Sequence, residues 1–194
     1  MKKILFTLMM VVIALNSYAQ TESAHLSFKG VPIDGTLDEY VSEMEKKGFE
    51  LVTTENGTAI LVGDFAAYKN CTIGVSTLKQ RDLVSKIAVI FPSNENWQGV
   101  STDYQNLKDM LKEKYGKPSK VIEEFQGLVK PTDDDYRMHE LTMDRCKYIT
   151  KFETPKGDIQ LSIAHEGLRK AFVVLAYFDK INSNIIRAEA MDDL

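Results

Sequence analysis

The sequence predicts an α+β protein. A helix followed by a four-stranded antiparallel sheet occurs twice in tandem, with both helices on one face. Three observations carry this. Two stretches, 36–47 and 101–115, hold apolar residues at helical spacing and stop at a glycine, Gly48 and Gly116. Each is followed by four short apolar or alternating runs separated by turn residues. The halves also correspond in order. Ile73/Val75 in one third strand answers Leu161/Ile163 in the other, and Ile87/Val89/Phe91 answers Phe172/Val174/Ala176. The repeats span 35–92 and 101–178. Their identity is low, so the duplication rests on element order and pattern, and one unrepeated α+β sheet is the alternative.

The chain opens with Lys2-Lys3, an apolar run over 4–15 and the small residues Ser17 and Ala19. This is the pattern of a secretory signal peptide over 1–19, too short to span a bilayer, with cleavage expected before Gln20. No cysteine follows the apolar run, so no lipid anchor is expected. Residues 20–34 read as a lead-in, flexible to 27 and then extended.

Thr36 and Glu39 have capping-box spacing, and Leu37, Tyr40, Val41 and Met44 share one stripe. Strands follow over 49–54, 58–68, 71–77 and 84–91, with turns at Asn56-Gly57, Lys69-Asn70 and Arg81-Asp82. Pro92 closes the run. The loop 93–100 carries the only tryptophan, Trp97. The second helix shows Tyr104, Leu107, Leu111 and Tyr115 at helical spacing. A strand over 119–125 and an irregular acidic stretch over 126–141 follow. Strands over 142–154, 158–165 and 168–178 complete the second repeat. The tail, 179–194, reads as a short helix through Ile185, Ile186 and Met191.

Removing residues 1–19 also removes Lys2 and Lys3, and moves the formal charge from −4 to −6. An acidic chain without clustered Lys and Arg points away from nucleic acid. Cys71 and Cys146 are the only cysteines. An exported chain can pair them in one disulfide or keep them as buried free thiols, and the sequence leaves both open.

The stretches Phe28-Lys29-Gly30-Val31-Pro32-Ile33-Asp34-Gly35-Thr36, Gly63-Asp64-Phe65, Val75-Ser76-Thr77-Leu78 and Lys114-Tyr115-Gly116-Lys117-Pro118 resemble secreted proteins of gut-type bacteria that have no assigned activity. The duplicated helix-plus-four-strand plan is similar to that of the β-lactamase-inhibitor-protein (BLIP) fold. The resemblance implies a fold and an exported location, and no activity.

Alternation assigns Ile73, Val75, Ile159, Leu161, Ile163, Tyr148 and Phe152 to the helix-covered face, with Cys71 and Cys146 on the same side. The opposite face should be polar and small, with Ser76 and Ser162 exposed on it. Twist would make that face a shallow trough.

No nucleophile-base pair, metalloprotease helix or phosphate loop appears, and no cofactor motif. The segment Asp133-Asp134-Asp135-Tyr136-Arg137-Met138-His139-Glu140 lacks the spacing of a calcium loop. The leading expectation is therefore a secreted or periplasmic protein that binds an envelope or extracellular protein or peptide. It would use the open face through Ser76 and Ser162, and the loops through Trp97, Asp133, Asp135, Tyr136 and His139. The alternatives are a metal-dependent protein or enzyme centred on 133–140, and an envelope structural protein.

Overall fold

Thr36 starts the first long helix as its spacing with Glu39 requires. The Glu39 backbone N–H donates to the Thr36 hydroxyl at 3.4 Å, and the Thr36 N–H donates to the Glu39 carboxylate at 3.2 Å. The computed structural model describes residues 23–77 and 81–192, so the expected signal peptide lies outside the described residues. In chain order the elements are β1 (Ser27–Phe28), β2 (Val31–Pro32), α1 (Leu37–Lys46), β3 (Glu50–Glu55), β4 (Thr58–Phe65), β5 (Tyr68–Thr77) and β6 (Val84–Ile90). Then come α2 (Trp97–Tyr115), β7 (Lys120–Phe125), α3 (Asp134–Thr142), β8 (Cys146–Thr154), β9 (Gly157–Glu166), β10 (Lys170–Asp179) and α4 (Lys180–Asp192).

Eight strands form one antiparallel sheet in the order β3-β4-β5-β6-β10-β9-β8-β7. The protein is α+β. Each half is a helix followed by a four-stranded meander, and the last strands, β6 and β10, pair at the centre, Val174 opposite Ile90. The second half differs by the inserted α3.

On the first face of the sheet, Leu61, Ile73, Val75, Ile87, Val89, Val173, Leu175, Ile159 and Leu161 are buried. They meet Tyr40 and Met44 of α1, Tyr104 and Leu107 of α2, and Met138 and Leu141 of α3 in one core. α4 lies at the end of the sheet. Its Asn182 reaches the carbonyls of Ile33 and Val84, and Glu189 pairs with Arg81 between β5 and β6.

Several expectations need correction. The lead-in is not flexible as far as 27: Leu26 is buried, and the extended piece that follows packs with it, with Phe28 and Ile33 buried and Phe28 stacked on Phe65, ring centroids 5.0 Å apart. α2 begins at Trp97 rather than near 101, because the Asn96 side chain caps it by accepting from the Gly99 N–H at 2.7 Å. The stretch 126–141 is not wholly irregular. Asp133 accepts from the Tyr136 N–H at 2.8 Å and starts α3. That helix extends to Thr142, so β8 starts later than expected.

The turn between β4 and β5 falls at Ala66-Ala67, not at Lys69-Asn70. Phe65 pairs with Tyr68, and both alanines have positive φ, 50° and 68°. Two β-carbons in the left-handed region are unfavourable, and the sequence signal points to the polar pair instead. By contrast, Asn56-Gly57 forms the expected turn between β3 and β4, with φ of 50° and 72°. At the same end of the strands as this turn, Gly157 passes so close to the Phe178 carbonyl that a β-carbon there would collide with it.

Two expectations follow. Replacing Ala66→Asn together with Ala67→Gly raises stability by about 1–2 kcal/mol in chemical denaturation, since both new residues accept the turn's φ values. Met44→Ala lowers it by about 2–5 kcal/mol, because Met44 is wholly buried and its loss leaves a cavity. An unchanged midpoint in either variant contradicts the packing described.

Candidate binding face

The cross-strand register fixes what the second face of the sheet presents. One row crosses all eight strands as Glu50, Val62, Thr72, Ile90, Val174, Ser162, Ile149 and Ile122. Apart from Glu50 these side chains are half-buried or, for Ile90, 37% exposed. The next row runs Thr53, Ile60, Gly74, Ala88, Ala176, Gln160, Lys151 and Lys120.

The second face is therefore not polar and small, as the alternation suggests. It carries an apolar band through Ile60, Val62, Ile90, Val174, Ile149 and Ile122. The reason lies in β6 and β10, which are nearly continuous apolar runs. Strands in the middle of a wide sheet can be apolar on both faces, and such runs show no alternation to read. Those two runs are the signal in the sequence that points to this band.

Two depressions open on this face. One, of about 550 Å³, has Ile90, Phe172 and Thr72 on its floor and Asn70, Ser93, His165 and Lys170 among its polar rim. His165 is held there, with Nε2 3.1 Å from Asp144 Oδ1 and Nδ1 3.1 Å from the Gly167 carbonyl. The other, of about 320 Å³, lies toward the opposite end between Lys151, Asp158, Gln160, Phe178 and Ser183. Phe172 and Phe178 are six residues apart on β10, so the depressions lie about 20 Å apart along one strand. Apolar floors with a polar rim suit an extended chain or a protein surface.

Ser76 and Ser162 are on this face, but half-buried rather than fully exposed. Ser76 accepts a long hydrogen bond from Thr58, 3.5 Å between hydroxyls. Ser162 is flanked by Val174 and Ile149, which sequence reasoning does not place beside it.

Trp97 lies apart from this face. It is buried, with its ring 5.0 Å from both Phe125 and Tyr148, so it fills the core of the second half and offers a partner little surface. Asp133 caps α3. Asp134 accepts from the Gln98 N–H at 2.9 Å and ties α3 to α2. Asp135 and His139 line a separate depression of about 560 Å³ with Glu95, Met143, Leu168 and Arg169. Tyr136 stacks on His139, centroids 6.4 Å apart. Glu140 turns inward and accepts two hydrogen bonds from Arg145, at 2.6 and 3.0 Å, which hold its carboxyl below the usual carboxylate range. Among the described residues, no three of His, Cys, Asp and Glu gather to hold a metal ion.

The cysteines are free. Cys71 on β5 and Cys146 on β8 are separated by β6, β10 and β9. Four strand spacings make about 19 Å, far beyond the ~7 Å between α-carbons that a disulfide tolerates. The intramolecular disulfide left open by the sequence is ruled out by the strand order. Burial pushes the Cys71 thiol up and the Cys146 thiol up to about 12.

The chain matches no protein-family model, and neither the curated proteins nor the solved structures yield a match. Among the described residues, no helix is long and apolar enough to cross a membrane.

Both thiols should label slowly with a maleimide or disulfide reagent in native, non-reducing buffer at neutral pH, and two per chain should label at once after denaturation. Rapid native labelling of either contradicts thiols that are shielded by the fold and held protonated at neutral pH.

Proposed function

We propose that this is an exported interaction protein that holds a protein or peptide partner from the cell envelope or exterior on the second face of its sheet. The observation that carries the reading is the partly exposed apolar band from β4 to β7, with depressions toward both ends of the strands it crosses. A solvated face has no need of Val62, Ile90, Val174, Ile149 and Ile122 in one row, and contiguous apolar surface rimmed by polar residues is a feature of interaction sites. Export is supported by the pattern over 1–19, and a protein rather than nucleic-acid partner by the acidic balance. The matching element order of the halves supports the duplicated plan suggested by the resemblance to the BLIP fold.

The reading is tested with the mature chain, residues 20–194, immobilised and exposed to the exported fraction of its source cells. The expected result is a retained protein that is lost with Ile90→Lys and kept with Leu128→Lys, a change at an exposed site off the sheet. Circular dichroism of each variant confirms its fold. Retention that is indifferent to Ile90→Lys, or no retention at all, overturns the proposal.

A further inference from the structure

We infer that the occupant of the second face is a second copy of this chain, related by a two-fold axis that lies in the interface and runs along the strands between β6 and β10. The inference rests on the reading of this face as an interface, and names the partner.

Such an axis lays β6 of one copy over β10 of the other, β5 over β9, β4 over β8 and β3 over β7, and keeps each cross-strand row on itself. Along the first row, Ile90 then meets Val174, Thr72 meets Ser162 and Val62 meets Ile149. Along the second, Ala88 meets Ala176, a small-on-small contact beside the axis where the two sheets must come closest. The alkyl stem of Lys151 covers Ile60, an arrangement long cations adopt over apolar surface. Near the axis apolar meets apolar and hydroxyl meets hydroxyl, as an isologous interface demands, and only at the outer edge of the row does a charged residue, Glu50, lie over an apolar one, Ile122.

The charges agree. Glu50 and Glu55 flank Thr53 on the β3 edge, and Lys120 on the β7 edge is opposite Lys151. Two lysines directly opposite within one sheet repel each other. The proposed axis brings Thr53, with a glutamate on either side, over Lys120 of the partner subunit. An axis running across the strands would instead lay each edge on itself, glutamates on glutamates and lysines on lysines.

The size also fits. Seven spacings across eight strands make about 34 Å, and the face is about 20 Å deep along β10, a footprint of about 700 Å² per copy. Stable interfaces take roughly 800 Å² per partner. Aligned sheets cross at about 30°, so the pairs nearest the axis, Ile90 with Val174 and Ala88 with Ala176, hold best.

Sedimentation equilibrium of the mature chain tests this over roughly 1–100 µM, a range that spans moderate interface affinities. The expected result is a dimer that Val174→Lys converts to a folded monomer. Lys120→Glu should weaken it about tenfold, and adding Glu50→Lys and Glu55→Lys to Lys120→Glu should restore it, a rescue that a folding defect would not give. A wild-type monomer across the range, or a dimer indifferent to Val174→Lys, overturns the inference. A dimer sensitive to Val174→Lys but without rescue by the charge exchange overturns the axis. If the chain sediments as a monomer yet retains a different protein that Ile90→Lys releases, the binding reading stands and the second copy falls. If it neither dimerises nor retains a protein, both fall.

Discussion

The pairing of β6 with β10 is the constraint on which the rest of this structure depends. β10 is the last strand of the sheet in sequence, yet it sits at the centre between β6 and β9. Without its pairing to β6 the two meanders would be separate four-stranded sheets with open edges. Once placed, Val174, Leu175, Ala176, Tyr177 and Phe178 pair with Ile90, Val89, Ala88, Ile87 and Lys86, and one core runs under both halves. Contacts this distant along the chain carry a large entropy of closure. The apolar runs of β6 and β10 offset it, and that is why both are apolar on both faces. The apolar band on the second face is thus partly a consequence of how the halves are joined.

The seam is closed by a buried polar cluster where β10 ends. The fully buried Asp179 carboxylate accepts from the backbone N–H groups of Leu26 and Asn182, both at 2.8 Å, and lies 3.1 Å from His25 Nδ1. Asn182 in turn donates to the carbonyls of Ile33 and Val84 and to Asp34. One strand end thereby fastens the lead-in, the start of β6 and the first turn of α4. A carboxylate buried in this way is tolerable only because its donors are all present. The lead-in is part of the core for the same reason.

Much of the fold is legible in the sequence and the candidate site is less so. The capping pair Thr36 and Glu39, the stripe Leu37, Tyr40, Val41 and Met44, and the turn Asn56-Gly57 are local signals, and each forms as its residues predict. The departures share a cause. Ala66-Ala67 adopts a turn its residues disfavour because the pairing of Phe65 with Tyr68, and their packing against Phe91, outweighs local preference. Trp97 and Asp134 begin helices because Asn96 and Asp133 cap them, a signal hidden inside stretches that look like loop. Alternation misleads on the second face because it is visible only in β5, β8 and β9. What flanks Ser162 is decided by registers with β8 and β10, and register is a long-range property that no local window contains.

The edges of the sheet argue for recognition by its face. An open edge strand is the usual place for an extended partner to add as another strand. β3 is a poor template: its ladder to β4 is interrupted between Leu51 and Thr53, and Glu50 and Glu55 stand at its ends. β7 is short and carries Lys120, Glu123 and Glu124 among its six residues. Bulges, charges and shortness are the devices by which edges refuse further strands. Both edges are blunted in this chain while the face between them keeps an apolar band. A surface selected only for solubility would have no reason to treat the two differently. On the proposed reading, protected edges with an unprotected face would restrict a partner to lying over the sheet, where side chains rather than backbone hydrogen bonds decide what is bound.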